Sequence, residues 1–200
     1  MQRGKLYLIP TPLGEESPQI LPQYVLHIIH QLDIFIAERA KTARRYIKTT
    51  EHPKAISALT FSELNKRTDI EDWQQYLNPA LMGKDIGLLS EAGCPGVADP
   101  GAEVVKLAHQ KGIEVIPLVG PSSILLAIMA SGMNGQSFAF HGYLSPKREQ
   151  VGKDLKRLEQ MAQKQKQTQL FIETPYRNGQ LVEQALKVLG SKTQFCVAMD

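Results

Sequence analysis

Ser90-Glu91-Ala92-Gly93-Cys94-Pro95-Gly96-Val97-Ala98-Asp99-Pro100-Gly101 lies between a strand-like run, Ile86 to Leu89, and a helix-like run containing Val104, Val105, Leu107 and Ala108. Twelve residues with three glycines and two prolines, placed at the carboxyl end of a strand, predict a shaped loop. Glycine lets the main chain approach a ligand closely, and proline fixes its path. In open α/β sheets, ligands bind at such strand ends. The two carboxylates in the loop, Glu91 and Asp99, suit free sugar hydroxyls better than a phosphate. The stretch therefore reads as a nucleoside-type binding loop in an α/β fold.

The same alternation of short strands and amphipathic helices extends in both directions. Leu6–Ile9 is the first predicted strand. Ser17-Pro18 supplies an N-cap and a first-turn proline for a helix whose inward face is Leu21, Val25, Ile28, Ile29 and Leu32. Ile34–Ala37 is a second strand and Thr42–Lys48 a basic helix. Lys54–Leu59 is predicted as the third strand, and the polar stretch Ser62–Leu77 as helix. The run DIGLLS (Asp85–Ser90) is the central strand. The helix after Gly101 stops at Lys111-Gly112, and Glu114–Val119 closes the first half. Gly120-Pro121-Ser122-Ser123 opens a helix, apolar on nearly every side, that ends at Gly132; such a helix is expected to be buried between layers or domains.

Beyond it, Phe138–Leu144 resumes the sheet. A helix then buries Val151, Leu155, Leu158 and Ala162 and exposes Lys147, Arg148, Lys153, Lys156, Arg157, Lys164 and Lys166. Gln169–Thr174 is a strand ending in a glutamate. Thr174-Pro175 starts a helix with Leu181, Val182, Ala185, Leu186 and Leu189 inward, and Gln194–Met199 is a last strand. That strand leaves the sheet half finished, which suggests a domain cut short at its C-terminus. The division falls near Val119–Pro121, giving domains 1–119 and 120–200.

Two hundred residues, 42% hydrophobic and 22% charged, are ordinary for a soluble globular protein. A net charge of +3 argues only weakly for a polyanionic partner. Two cysteines, Cys94 and Cys196, form no disulfide framework and have no metal-ligand spacing. The N-terminal run lacks the apolar core of a signal peptide, and Ile124–Ala130 is too short to span a bilayer. A cytoplasmic protein with no membrane association is expected. No glycine-x-glycine follows the first strand; Pro10-Thr11-Pro12-Leu13-Gly14 stands there instead. Phosphate-loop and nucleophile-elbow motifs are absent. His27 and His30 share a helix face without an acidic third ligand, so they read as structural and no metal is expected. A nucleophilic Cys94 would need a histidine base, and none lies near it in sequence.

Four strand-end loops remain: PTPLG, SEAGCPGVADPG, GPSS and ETPYR. In this order they resemble the tetrapyrrole methylase superfamily. The nearest likeness is to its 16S ribosomal RNA (cytidine-2′-O)-methyltransferase branch, with a TPIGN-like first loop, S-D-A-G-T-P-G-x-S-D-P-G, P-G-P-S-A and E-S-P-H-R. The resemblance runs along almost the whole chain. It implies two α/β domains of the tetrapyrrole methylase type with the ligand cleft between them, a homodimer, and S-adenosyl-L-methionine as methyl donor. Pro10, Thr11 and Pro12 in the first loop, and Ser90, Glu91, Ala92, Gly93, Val97, Asp99 and Pro100 in the second, are the implied donor-binding residues. Ser122 and Ser123, with Glu173 and Thr174, complete the set.

This chain departs from the branch pattern at Glu15-Glu16, at Glu38-Arg39-Ala40, at Glu91, at Cys94, and at Thr174 with Tyr176. The donor loops follow the pattern better than the segments expected to face substrate. Methyl transfer from a sulfonium is an in-line displacement, so the protein chiefly aligns the partners. A hydroxyl acceptor must also lose a proton, and Glu173 and Glu38, both at predicted strand ends, are the candidate bases. The implied partner is RNA or the small ribosomal subunit, and the basic segments Arg39–Lys48 and Lys147–Lys166 are its candidate contacts. Two other readings stay open: methylation of a small molecule such as a tetrapyrrole, and a non-catalytic RNA-binding protein that retains the fold.

Overall fold

The computed structural model describes residues 2–14, 20–64 and 70–199. The chain forms two compact units, Met1–Ser123 and Ile124–Asp200, each with its own core. The first unit carries β1 (Lys5–Ile9), α1 (Gln23–Gln31), β2 (Ile34–Ala37), α2 (Ala40–Thr49) and β3 (Thr60–Glu63). It continues with α3 (Ile70–Tyr76), α4 (Asn78–Leu81), β4 (Ile86–Leu89), α5 (Gly101–Gln110) and β5 (Glu114–Pro117). The five strands pair in parallel in the order β3-β2-β4-β1-β5, with β4 in the middle as predicted.

Because successive side chains of a strand point to opposite faces, the short apolar runs feed two cores. Leu6, Ile36, Ile86 and Leu88 pack on one side with Trp73, Leu77, Val104 and Leu107. Ile9, Phe35, Ala37 and Leu89 pack on the other with Val25, Ile29, Ala43 and Ile47. Right-handed crossovers explain the sorting. The chain moves toward one edge from β1 to β2 to β3, and back past β4 to β5. The helices of the two directions must lie on opposite faces. Gly87, midway along β4, is where the second core closes on the sheet. A Cβ there would lie 2.6 Å from Ile9 Cδ1 and 2.9 Å from Phe35 Cδ1, so the strand has room only for glycine.

Several sequence expectations change. Lys54–Leu59 is not a strand. Its short apolar residues form a 3-10 turn at Ile56–Ala58, Leu59 is buried as its anchor, and pairing begins where Thr60 comes into register with Ile34. Ser62 and Glu63 therefore end β3 rather than start a helix, and among the described residues of that stretch helix runs over Ile70–Tyr76. The proposed Ser17-Pro18 cap lies outside the described residues; α1 begins at Gln23, preceded by Pro22. Of its predicted inward face, Leu21, Val25, Ile29 and Leu32 are buried and Ile28 is half-buried.

The second unit contains α6 (Ser123–Ser131, its first residue belonging to the first unit), β6 (Phe138–Tyr143), α7 (Arg148–Gln165), β7 (Thr168–Ile172) and α8 (Asn178–Val188). β6 and β7 pair in parallel, and Leu144, Val151, Leu155, Leu158, Leu181 and Ala185 form the core beneath them. The α6 helix departs from expectation. Only Ile128 is buried, while Leu125, Leu126 and Met129 are exposed, because a helix apolar on all sides buries only the side that finds a packing partner. Leu186 is also exposed, at 82%: five positions after Leu181 it points away from the face that Leu181 and Ala185 share. Gln194–Met199 alternates like a strand but pairs with neither β6 nor β7, and Phe195, Val197 and Met199 are exposed. Alternation prescribes two faces, but a strand exists only where a neighbour accepts its hydrogen bonds.

One buried acid ties the second unit together. Glu159, on the inner side of α7, accepts hydrogen bonds from the Thr193 hydroxyl, the Gly190 amide (2.6 Å) and Lys156 Nζ (3.0 Å). The Thr193 and Gly190 hydrogen bonds, then Lys156, push its pKa down to about 2 from an ordinary 4.5. A carboxylate lowered in the native state stabilises the fold above its unfolded-state value and loses that contribution as pH falls to its native value. Glu159→Gln is expected to lower unfolding free energy by about 2 kcal/mol at pH 7, the scale of hydrogen bonds to a charged group. It should also flatten the loss of stability between about pH 5 and pH 2. Urea titrations of both proteins across that range measure the two effects.

Candidate functional site

The sheet order places a topological switch point between β1 and β4. β1 and β4 are neighbours, yet the chain leaves β1 toward α1 on one face and leaves β4 toward α5 on the other. Ligands of open parallel sheets bind at the carboxyl ends of such diverging strands. The loops that leave here are Pro10–Gly14 and Ser90–Gly101, two of the four predicted loops.

Main-chain hydrogen bonds join them. Thr11 and Gly93 exchange both amides, at 2.9 and 3.0 Å, as an isolated antiparallel bridge beyond the last parallel pair, Ile9 and Leu89. The buried Ser90 hydroxyl donates to the Gly93 carbonyl at 2.7 Å, and the buried Thr11 hydroxyl to the Ser90 carbonyl at 3.3 Å. Gly93 is buried with φ +73°, a conformation side chains resist; an added Cβ would also sit 3.2 Å from Leu13 Cδ2 and 3.5 Å from the Pro121 carbonyl. The third loop joins the same knot. A Cβ on Gly120 would overlap the Pro10 ring, and the Cys94 thiol donates to the Pro121 carbonyl at 3.3 Å. Burial raises the Cys94 pKa, which keeps the thiol protonated and unsuited to nucleophilic attack.

The remainder of the second loop is braced by Asp99. Its Oδ1 accepts the amides of Gly96 and Gly101, both at 2.8 Å, and the turn holds Ala98 in the left-handed region at φ +60°. A non-glycine residue there stores strain of roughly 1–3 kcal/mol, a feature that concentrates at functional loops. Glu91 is exposed, and both its oxygens are 3.0 Å from the Thr42 hydroxyl of α2. Ala92 and Val97 are exposed and Pro100 is half-buried; Pro12 and Ser122 are half-buried and Ser123 exposed at the ends of their own loops.

Glu38 stands at the carboxyl end of β2, beside β4, and no hydrogen bond engages its side chain among the described residues. Its pKa is raised, first by burial and then by the nearby carboxylates of Asp99 and Glu91, with Arg39 acting in the other direction. Burial likewise raises Asp99, against the pull of its two amide partners. The carboxylates of Asp99 and Glu91 thus both act on Glu38 at one rim. Thr42 and Tyr46, four residues apart on α2, are site residues that the sequence reading does not single out. Thr42 holds Glu91, and the Tyr46 hydroxyl donates to the Pro10 carbonyl at 3.2 Å. Burial raises the Tyr46 pKa, so that donor stays in place. The readable signal is their i, i+4 spacing on the helix after β2.

Glu173 and Thr174 belong to the second unit. The Glu173 carboxylate is buried at the end of β7; Oε1 accepts the Thr174 amide at 2.8 Å and the Thr174 hydroxyl at 3.2 Å. Arg177 Nη2 lies 3.0 Å from Oε2 while donating to the Ser145 carbonyl at 2.7 Å. Oε1 is thus held by the turn that follows, while Oε2, ion-paired with Arg177, is buried without a hydrogen-bond partner among the described residues. The histidines have local partners: the His30 ring meets the Thr50 carbonyl and the His27 ring meets Gln31.

Residues 5–199 match the profile of the family described as tetrapyrrole (corrin/porphyrin) methylases. The chain belongs to this family. It is 31% identical over 195 residues to "Ribosomal RNA small subunit methyltransferase I" of Vibrio cholerae, covering 98% of this chain and 64% of that protein. The protein of the same name from Bacillus subtilis is 30% identical, covering 94% of this chain and 61% of its own length. The family member thus spans less than two thirds of these relatives. Among solved structures, the methyltransferase CobJ superposes with a TM-score of 0.59 at 17% identity, over 94% of this chain and 77% of its own. A conserved hypothetical protein from Aeropyrum pernix K1 superposes at 0.60 with 14% identity, over 93% and 65%. These two show the shared two-domain α/β fold. Among the described residues no helix is long and apolar enough to cross a membrane.

Proposed function

We propose that the protein is an S-adenosyl-L-methionine-dependent methyltransferase that acts on small-subunit ribosomal RNA, at a ribose 2′-hydroxyl. The observation that carries this reading is the rim at the β1–β4 divergence, where interlocked glycine-rich loops meet Glu38 with the Asp99 and Glu91 carboxylates beside it. Such a rim fits a nucleoside bearing a sulfonium and an ammonium, because a bound cation relieves the repulsion that Asp99 and Glu91 exert on Glu38. The relatives named above, at about 30% identity over nearly the whole chain, support the RNA target.

In this reading Pro10, Thr11, Pro12, Ser90, Glu91, Ala92, Gly93, Val97, Asp99, Pro100, Ser122 and Ser123 hold the donor, which supplies an electrophilic methyl group when bound. The Thr11–Gly93 pair fixes the spacing of the two main loops before any ligand arrives, and that preorganisation is what aligned displacement requires. Glu38 takes the proton of the acceptor hydroxyl. It is uncommitted to other hydrogen bonds, and its raised pKa brings its basicity closer to the working pH. Glu173, committed to its own turn, positions the Thr174–Arg177 segment instead. We further propose a cytoplasmic homodimer divided near residue 120, acting without a metal ion.

Tritiated S-adenosylmethionine supplied to the full-length protein with small ribosomal subunits, naked ribosomal RNA or porphyrin precursors tests the proposal. Label is expected in the RNA of the subunit, at a ribose. Label on the porphyrin alone would transfer the assignment to small-molecule methylation. Donor-independent RNA binding with no label anywhere would favour a non-catalytic RNA-binding role.

A further inference from the structure

Helix α2 places its four cations in a single stripe. Lys41, Arg44, Arg45 and Lys48 follow the i, i+3, i+4, i+7 spacing, which confines them to an arc of about 100° on the helix surface. All four are exposed, and Ala40, Ala43 and Ile47 turn the opposite side into the core. The helix contains no acidic residue, and among the described residues none of the four cations is ion-paired. Basic residues of an ordinary solvated helix alternate with acids that neutralise them; here a positive field is left standing.

One member of the stripe is held in place. The Arg44 guanidinium lies over the Phe61 ring, 5.2 Å from its centroid, and Phe61 is itself stacked on Phe35 at 5.3 Å. Stacking presents the planar fork outward with less rotamer freedom left to lose, an arrangement that favours phosphate over a point-like anion. The flank of α2 next to the stripe carries Thr42 and Tyr46, which brace Glu91 and the Pro10 carbonyl. A polyanion seated on the stripe would therefore lie alongside the rim where the methyl is proposed to be transferred.

We propose that the Lys41–Arg44–Arg45–Lys48 face of α2 docks the phosphodiester backbone of the substrate RNA. This inference rests on the ribosomal RNA reading above and narrows its candidate basic segments to one face of α2. The cations meet phosphates, so they supply affinity and register rather than base selection. Fluorescence anisotropy with a short labelled single-stranded RNA, titrated with salt, is the test, run on the full-length protein beside donor-binding calorimetry. Replacing all four cations by alanine is expected to lower RNA affinity roughly a hundredfold and to reduce the salt slope by about 3, at about 0.7 for each phosphate no longer neutralised. Each single alanine variant should remove about 0.7 of that slope, which keeps the test open if the quadruple variant fails to fold. Arg44→Lys with Arg45→Lys should retain the slope because the charge is kept. Donor affinity should be unchanged throughout.

Wild-type affinity and slope in the quadruple variant would overturn the docking surface alone. No RNA affinity in the wild-type protein would overturn the ribosomal RNA reading as well. Binding to phosphatidylglycerol vesicles in preference to RNA would reassign the stripe to a membrane surface and overturn the proposal.

Discussion

Glu38→Gln is expected to reduce methyl transfer to small ribosomal subunits by about 100- to 10,000-fold, the range for loss of a positioned general base. Donor affinity should change by no more than about threefold, since the amide preserves size and the glycine loops are untouched. The pH profile separates this role from a structural one. Burial and the Asp99 and Glu91 carboxylates raise the Glu38 pKa, so the base is protonated at low pH and released as pH rises through that raised value. Wild-type turnover should therefore climb on an acid limb that the glutamine variant lacks. The same shift has an opposite sign for stability. A carboxylate that binds its proton more tightly when folded favours the fold at low pH and costs stability as pH rises. Glu38→Gln should accordingly leave neutral-pH stability equal to or above wild type. Unchanged turnover in a variant that still binds donor would remove Glu38 from the chemistry.

Gly93→Val should abolish measurable donor binding, a loss of at least about 100-fold, or about 2.7 kcal/mol in binding free energy. Two effects combine at this residue. A β-branched side chain at φ +73° pays the left-handed penalty of about 1–2 kcal/mol or more. It would also press on Leu13 and the Pro121 carbonyl, forcing apart the loops that the Thr11–Gly93 amide pair joins. Gly96→Val is the matched control: Gly96 has φ +81°, but an added Cβ there would meet nothing closer than 3.9 Å. The control should lose stability by a similar backbone amount and retain most of its donor affinity. Calorimetry with S-adenosylhomocysteine and urea unfolding report on the two quantities separately. Equal losses of affinity in both variants would show that the three-loop knot does not set the donor site.

The local motifs are readable because each is a local physical rule. Ser90–Gly101 declares a shaped strand-end loop through its glycine and proline content. Ile34–Ala37 and Ile86–Leu89 declare strands through contiguous apolar residues, and the loop order resembles one family from end to end. Expectation and structure part where local pattern competes with pairing. Lys54–Leu59 and Gln194–Met199 have strand-like composition, but β2 takes Thr60–Glu63 as its neighbour and no strand takes Gln194–Met199. The α6 helix differs from expectation for the same reason, since uniform greasiness does not say which side will be covered.

Glu38 shows the limit within the site. Its place at a strand end is legible, while its proximity to Asp99 and Glu91 depends on β2 and β4 being sheet neighbours though some fifty residues apart in sequence. Composition and periodicity by themselves determined the alternating α/β class, the glycine- and proline-rich loops at strand ends and the cationic face of α2. Only the tertiary structure decided that β1 and β4 diverge side by side, that Thr11 and Gly93 clasp across that gap, and that Glu173 is committed to its own turn. Strand order and loop contacts are long-range choices, made by the packing of both sheet faces at once, and no short window of residues contains them.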